Sequence, residues 1–352
     1  MLFMNPKKRW VLVAIVFVLA LGIIPLYLSS PTTRFSTDGN LGTKDIVVNF
    51  QPRPADEILQ GREVVRIGVY FLSLGNLDTT TGEYTVDFFL NFICETQPCD
   101  PTHFDIMNAV SKAEADDQTS EAVRGKEFYY RVRANLQTNL DLRKFPFDDH
   151  ILVIEFEDQN KTDDKFVYVV DEKLSGIDQD VYVSGWTLEP YIEGNAKSHE
   201  YTVYKESYSR ARFAVRISHP WFSSFMKGLF AAIVIVGVGM LSFLMNPAEA
   251  QDRISLTSGT LASAIFYHMT LTSSIPPVGY LTYGDRFMIL QYIFITVSLA
   301  ISVTLFMLLS AEKRGSNYHK TAMLIHQATR WTVPLLWVIA MIGLHYSTIG
   351  FG

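Results

Sequence analysis

Hydrophobic residues are concentrated at the two ends of the chain, and they alternate with polar residues in the middle. A basic cluster, Lys7 to Arg9, precedes an apolar run from Trp10 to Leu28. This order is typical of a signal peptide or of an uncleaved N-terminal anchor. Residues 1–30 therefore fit either segment, and in both cases the part of the chain that follows is exported.

Residues 31–220 carry the period-two alternation that predicts β-strands. The clearest runs are Val65–Phe71, Tyr84–Phe92, Leu152–Phe156 and Phe213–Ile217. Turn residues such as those at 79–82 separate them, so this region is predicted to be an all-β, immunoglobulin-like sandwich. The stretch Asn108–Gln118 fits a short helix or an acidic loop.

Four later apolar stretches are long enough to cross a bilayer as helices, at about 222–244, 254–275, 287–309 and 331–347. Basic residues 313, 314, 320 and 330 lie between the third and the fourth. The positive-inside rule places them, like Lys7 to Arg9, on the cytoplasmic side. We therefore expect a multi-pass cell-membrane protein: residues 221–352 form an all-α, four-helix transmembrane domain, and the β-domain is extracellular or periplasmic.

The second of these helices is unusually polar, because Ile254–Ile275 contains nine Ser or Thr residues. Hydroxyl groups in hydrocarbon need partners, so such a helix suits the inside of a bundle or the wall of a water-filled pore. Helical periodicity places small, hydroxylated and apolar residues on one stripe: Ser255, Gly259, Ala262, Phe266, Met269, Thr270 and Ser273, with Asp252 at its cytoplasmic end. Small residues also allow close packing between helices, and the stripe alone favours neither interpretation.

Composition and charge agree with a two-part protein. The chain is 48% hydrophobic and its mean hydropathy is +0.14, which is too apolar for an ordinary soluble protein. Residues 1–30 carry a charge of +3, residues 31–220 of −12 and residues 221–352 of +3, which together give the net −6. An acidic exported domain disfavours nucleic acid as a partner and attracts cations, although acidity also simply keeps a domain soluble.

Two features of the chain bear on chemistry. Cys94 and Cys99 are its two cysteines, and in an exported domain they form a short-loop disulfide or remain thiols. We find no nucleophile elbow, P-loop, zinc-protease or dinucleotide motif, so neither an enzyme nor a cofactor is expected.

The segment Asp141–His150, which reads DLRKFPFDDH, resembles the loop motif of the pentameric ligand-gated ion channels, the family of the Cys-loop receptors and their prokaryotic relatives. The resemblance covers nearly the whole chain after the leader. Val65–Phe92 is similar to the family's first two strands, Arg216–Ser218 to the end of its last strand, and Arg253–Pro276 to its pore helix. It implies a homopentamer in contact with membrane lipids that conducts monovalent cations and is opened by a small molecule or by protons.

The chain departs from the family at several positions. Thr138 and Leu152 stand near the usual Cys-loop cysteines, so the match is to the prokaryotic type that lacks this disulfide. Ala262 takes the place of the usual leucine gate, and Phe230 and Ala231 stand where the first helix usually has a proline. Ala262 and Gly259 also give weight to an alternative, a non-conducting, membrane-anchored binding or sensory protein with the same fold.

Selectivity and gating residues follow from the pore assignment. Glu249 and Asp252 are expected to form carboxylate rings that select cations. Arg253 is expected to turn away from the lumen, or to pair with Asp252. Phe266 and Met269 are predicted to form the apolar constriction, unless Phe266 packs against the next subunit.

The resemblance implies an agonist site between subunits. Its residues here are Tyr201, Tyr204 and Tyr208, together with Glu157, Asp158 and Gln159. Tyrosines beside carboxylates suit a small organic cation, while modulation by Ca²⁺ at the acidic turn is a competing prediction. No metal ligands are assigned, and the tyrosines fit ordinary surface positions equally well.

The β-domain and the transmembrane helices are expected to be coupled through direct contacts. The residues expected to meet at the membrane surface are Phe145, Pro146, Phe147, Asp148, Asp78, Arg216, His219 and Pro276. Asp148 and Asp78 are expected to face a cation, which in the family is an arginine at the strand end. The matching position here is His219, whose charge depends on pH, and Arg216 is the alternative source of a permanent charge.

Overall fold

The computed structural model describes residues 47–51, 53, 61–96, 99–117, 127–312 and 318–348. The predicted signal peptide or anchor, residues 1–30, lies outside these ranges.

Strands make up the described part of the chain before residue 220. They are β1 (Val47–Gln51), β2 (Glu63–Asp78), β3 (Glu83–Cys94), β4 (Phe104–Ile106), β5 (Glu114–Asp117), β6 (Glu127–Gln137), β7 (Asp149–Asp158), β8 (Phe166–Val170), β9 (Gly176–Ile177), β10 (Thr187–Tyr201) and β11 (Glu206–Ser218). One sheet has the order β1-β10-β11-β7-β4 and the other β5-β6-β3-β2-β8, with β9 beside β2. Both sheets are mixed, because β1 pairs parallel to β10 and β8 parallel to β2.

The two sheets share one hydrophobic core. Alternate residues of β3 point inward, as their sequence pattern predicts. Phe88 of one sheet meets Phe156 of the other with ring centroids 6.0 Å apart, and Phe156 also contacts Phe213 at 6.1 Å. The predicted β-rich region is therefore confirmed.

The structure corrects one part of the prediction and adds strands that the pattern missed. Residues 108–117 form neither a helix nor a free loop: Ala109 bridges to Leu136, and β5 pairs with β6. Strand β8 is buried along most of its length and so lacks alternation. Strand β10 is polar, contains Pro190, and shifts register between Leu188 and Ile192.

Helices follow the sheets. They are α1 (Trp221–Gly228), α2 (Phe230–Met240), a short 3₁₀ segment (Leu241–Leu244), α3 (Ala250–Thr272), α4 (Tyr283–Glu312) and α5 (His319–Thr348). Among the described residues, α4 and α5 are long and apolar enough to cross a membrane. Helix α1 and the segment Phe230–Leu244 add a third candidate if this pair, bent by 44°, is one span.

Helix bounds differ from the sequence pattern at two places. The predicted first helix is broken at Leu229, next to Gly228, where a Cβ atom would lie 2.6 Å from Pro146 Cγ. Helix α5 begins at His319 rather than near residue 331, because polar residues extend it beyond its apolar part, and it accommodates Pro334 in its interior.

Helix α3 packs against both α2 and α4. Gly239 of α2 approaches Thr260 so closely that a Cβ would lie 2.9 Å from its Oγ1. At the other end of α3, His268 Nδ1 lies 2.9 Å from Tyr292 Oη and Nε2 lies 3.1 Å from Asp285 Oδ1. One face of α3 is thereby fixed against its neighbours.

Candidate functional site

Helix α3 has a buried face and an exposed face. The buried residues are Ala250, Arg253, Thr257, Thr260, Ala264 and Leu271. All eight residues predicted to line a pore are exposed in the single chain: Asp252, Ser255, Gly259, Ala262, Phe266, Met269, Thr270 and Ser273. The most exposed large side chain among them is Phe266, at 69%. The predicted stripe is thus the face that α2 and α4 leave uncovered.

Several hydroxyl groups on this face donate to carbonyl groups of the helix itself. Ser258 Oγ donates to Ile254 O at 2.8 Å, Ser263 Oγ to Gly259 O at 2.9 Å, and Thr270 Oγ1 to Phe266 O at 3.1 Å. These hydroxyl groups therefore have the partners that they need in hydrocarbon, because a helix carbonyl four residues back accepts each hydrogen bond. The case for a pore rests on the exposed face as a whole.

The charged end of α3 separates its acidic and basic residues. Glu249 and Asp252 are exposed. Arg253 is 0% exposed, and its Nη1 donates to Nδ1 of His326 on α5 at 3.4 Å. Its Nε and Nη2 have no hydrogen-bond partner. Arg253 therefore points away from the exposed face, toward a neighbouring helix, instead of pairing with Asp252.

The other long helices expose a different kind of surface. Their exposed large hydrophobic residues include Ile289, Ile293, Val297, Phe306 and Met307 on α4, and Leu324, Leu335, Leu336, Ile339 and Ile342 on α5. Side chains of this kind suit lipid. The exposed face of α3 includes the large apolar residues Ile265, Phe266 and Met269, but it also carries carboxylate, hydroxyl and small residues.

A cavity of about 300 Å³ lies at the tip of strands β7, β10 and β11. Its lining includes every predicted ligand residue: Tyr201, Tyr204, Tyr208, Glu157, Asp158 and Gln159, with Asp105, Met107 and Glu206 added. The structure thus gathers residues that lie more than forty positions apart in the sequence.

The carboxylate of Glu157 is already paired with a cation of the protein. Arg210 Nε donates to Glu157 Oε1 at 2.6 Å, and Tyr201 Oη donates to Oε2 at 2.9 Å. Arg210 Nη2 also donates to Tyr201 Oη at 3.1 Å. Glu157, predicted to help hold a ligand, therefore already has Arg210 and Tyr201 as partners. Arg210 lies opposite Glu157 through the register between β11 and β7, which no local pattern of the sequence gives.

Asp158 is also held by the protein. It is 2% exposed, and its Oδ1 accepts the backbone N–H groups of Asn160 and Lys161, each at 2.8 Å. Burial raises its pKa, against the lowering effect of these two hydrogen bonds. Within the described ranges, no group of three or more His, Cys, Asp or Glu side chains is arranged to hold a metal ion.

The Phe145–Phe147 loop lies directly on the helices. Gly284 N, in the first turn of α4, donates to Phe145 O at 2.9 Å. The ring of Phe147 lies 5.8 Å from Tyr283 and 6.3 Å from Trp221 of α1. The close approach of Pro146 to Gly228 completes the contact. This loop is the point where the sandwich touches three helices, since His345 of α5 lies 6.2 Å from Phe147.

Asp148 follows this loop and is buried between two histidines. Its side chain is 1% exposed, Oδ2 lies 2.5 Å from His150 Nε2, and Oδ1 lies 3.0 Å from His219 Nδ1. Burial alone would raise the pKa of Asp148, but the two histidine hydrogen bonds outweigh it and lower the pKa from 3.8 to about 2. The carboxylate therefore stabilises the fold above its unfolded pKa, and this contribution is lost as the pH falls toward 2.

The other predicted coupling residues lie apart from Asp148. Arg216 Nε is 3.9 Å from Glu189 Oε2, and its guanidinium lies 5.3 Å from the Tyr191 ring. Asp78 is exposed and accepts Thr80 N within its own turn at 2.7 Å. Pro276 follows α3 and is half-buried. Arg216, predicted as the alternative source of charge for Asp148, thus faces Glu189 instead, and Asp78 accepts a hydrogen bond within its own turn.

Two residues of the cluster were missed by sequence reasoning. Trp186 lies against both imidazoles, with ring centroids 5.2 Å from His150 and 3.6 Å from His219. His150 stands in the DLRKFPFDDH motif, two residues after Asp148, so alternation along β7 was the available signal. Trp186 comes from another loop, and no local pattern places it here.

No family model matches the sequence. The chain is similar to a protein from Gloeobacter violaceus named as a proton-gated ion channel, with 23% identity over 326 residues. The match covers 87% of this chain and 88% of that protein. The similarity therefore spans the sheets and the helices together.

Proposed function

We propose that this chain is the subunit of a homopentameric, proton- or ligand-gated cation channel in the cell membrane, with the sandwich extracellular or periplasmic. The observation that carries the proposal is the contrast between exposed helix faces: α4 and α5 expose many large apolar residues, whereas α3 exposes carboxylates, hydroxyls and small residues along with Ile265, Phe266 and Met269. The first surface suits lipid and the second suits water.

One helix cannot enclose a pore, but identical copies around a symmetry axis can. Five copies of the exposed face of α3 would give a pore with hydroxylated walls and an apolar ring at Phe266. We infer that α3 is a further span inside the bundle, where its hydroxyl content costs little. The name of the Gloeobacter violaceus protein supports gating by protons.

Cation selectivity follows from the charged end of α3. Fivefold repetition turns Glu249 and Asp252 into two rings of carboxylates, and rings of one sign select ions by their field. Arg253, which follows Asp252 in the sequence, lies on the buried face and does not face these rings.

We expect the purified protein in planar bilayers to give single-channel currents that reverse near the cation equilibrium potential. For a perfectly selective pore this is about 59 mV in a tenfold salt gradient. Asp252→Ala and Glu249→Ala should each move the reversal potential toward zero, because each removes one carboxylate ring. Gln251→Ala is the matched control, since Gln251 is exposed between them and uncharged. An anion-selective wild type contradicts the selectivity proposal, and a wild type without current between pH 5 and 8 favours the non-conducting sensory protein.

The gate is proposed to lie at Phe266 and Met269, because the residues below them on the exposed face, Gly259 and Ala262, are too small to close a pore. A ring of exposed apolar side chains can stop ions by dewetting. Phe266→Ala should therefore raise the spontaneous open probability on the order of tenfold, or about 1.4 kcal/mol.

Ile265→Ala is the control for this variant, because Ile265 is an exposed neighbour outside the predicted stripe. Spontaneous current in bilayers is the measurement. Unchanged leak in Phe266→Ala, with altered leak after substitution of Ala262 or Ser255, places the gate elsewhere.

The tyrosine-lined cavity is proposed as the site of a small organic cation. Glu157 is already neutralised by Arg210, so the ligand would rest on the tyrosine rings and on the exposed carboxylates of Asp105 and Glu206. Tyr208 Oη donates to Glu206 at 3.0 Å, which holds both side chains at the cavity rim.

Calorimetry on the detergent-solubilised protein with a small alkylammonium ion tests this site. Tyr208→Ala should weaken binding on the order of fivefold, about 1 kcal/mol, through the lost cation–π contact. Tyr182→Ala, which removes an exposed tyrosine away from the cavity lining, should leave binding unchanged. Absence of amine binding, with Ca²⁺ binding that is lost in Asp158→Asn, favours the competing metal site.

A further inference from the structure

The Asp148 cluster has the composition of a proton-binding site at the place where the sandwich joins the helices. An ionised carboxylate only accepts hydrogen bonds, so both ring nitrogens that face Asp148 carry hydrogen. With two neutral imidazoles the cluster bears one negative charge, and each further proton adds one positive charge. Asp148 itself does not titrate between pH 5 and 8, because its pKa is about 2. Histidine is the side chain whose charge ordinarily changes in this range, so a charge change of the cluster would fall on its imidazoles.

We propose that protons act on this channel at the Asp148–His150–His219 cluster, and that protonation of its imidazoles tightens the link between β11 and α1 and favours the conducting state. This inference rests on the proposed function. The ligand is the proton, and the site is distinct from the tyrosine-lined cavity.

His219 is placed to carry such a signal. Its backbone N–H donates to Asp148 O at 3.2 Å, and it is separated from the first residue of α1, Trp221, by a single proline. A positive charge on its ring strengthens the pairing with Asp148. It also strengthens the contact with Trp186, since an indole face attracts a cation. Both effects draw the end of β11 toward the loop that contacts the helices.

A second cavity, of about 460 Å³, includes His150 in its lining. Its charged lining residues are Asp141, Asp149, Glu155 and Arg212. Carboxylates predominate there, which favours the arrival of cations, including protons. A buried imidazole beside an accessible acidic cavity can exchange protons with the solvent.

The other charged and titratable groups around the Asp148 cluster pair with residues outside it or lie on the helix side of it. Lys144 Nζ faces Asp149 Oδ1 at 4.0 Å, and Arg216 faces Glu189. On the helix side, Tyr283 Oη lies 3.4 Å from His345 Nδ1. His345 contacts the ring of Phe147, while Trp186 contacts His150 and His219. Emission from Trp186 therefore reports on the two cluster histidines.

The test combines two measurements on the full-length protein between pH 5 and 8. In proteoliposomes, wild-type cation flux should rise on acidification on the order of 5- to 150-fold, the usual range of an allosteric coupling. His219→Gln keeps an amide donor for Asp148 but cannot gain charge, so its acid response should shrink toward onefold. His219→Arg carries a permanent charge, so its flux should already be high at pH 8.

The second measurement is tryptophan fluorescence, which needs no conduction. An imidazolium quenches a stacked indole, so acid should reduce the part of the emission that disappears in Trp186→Phe, and His219→Gln should abolish this change. His103→Gln is the matched control, because His103 also lies beside an aspartate, Asp100 at 3.7 Å, but is exposed and remote from the helices. It should behave as wild type in both measurements.

The outcomes separate this inference from the proposed function. An unchanged acid response of flux in both His219 variants overturns the inference that the Asp148 cluster binds the gating protons. A wild-type Trp186 emission that shows no change between pH 5 and 8 overturns it as well. Absence of wild-type flux at every pH, with a normal Trp186 titration, overturns the proposed channel and leaves the proton-binding site standing. Gel filtration and thermal melting of each variant identify any that fail to fold, and His150→Asn then provides the second test of the acid response.

Discussion

The constraint on which the rest of the molecule depends is the difference between the two faces of α3. One face is locked to α2 and α4 by close approaches such as Gly239 to Thr260 and by the pairing of His268 with Asp285. The other carries carboxylates at one end, hydroxyls and small residues along its length, and an exposed phenylalanine. Such a face is costly in lipid even though its hydroxyl protons bond within the helix, because charged groups and outward-facing oxygen atoms remain. Association of several copies around water removes this cost.

The second constraint is the burial of a charged carboxylate at the domain junction. Asp148 stays ionised out of contact with water only because two imidazoles donate to it. This arrangement ties the Phe145–Phe147 loop to the end of β11, and the loop in turn contacts α1, α4 and α5. The junction is therefore in direct contact with the ends of three helices.

Sequence reasoning succeeded where a local pattern determines structure. Period-two alternation located β2 and β3, and helical periodicity identified the residues of α3 that prove to be exposed. It failed where distant residues decide the outcome. The pairing of Arg210 with Glu157 depends on the register between β11 and β7, and the position of Trp186 over His219 depends on the path of a loop. Arg216 was chosen as an alternative partner of Asp148 from its spacing alone, although Glu189 and Tyr191 lie closer to it in space.

Cysteine accessibility on α3 tests the central claim, that its exposed face lines an aqueous pore, most directly. Ala262 and Ala264 are two residues apart and chemically identical, but Ala262 is exposed and Ala264 is buried. The native Cys94 and Cys99 are joined in a disulfide and do not compete for the reagent. A charged thiol reagent should block the current through Ala262→Cys and leave that through Ala264→Cys unchanged. Block of Ala264→Cys with no effect on Ala262→Cys would contradict the account.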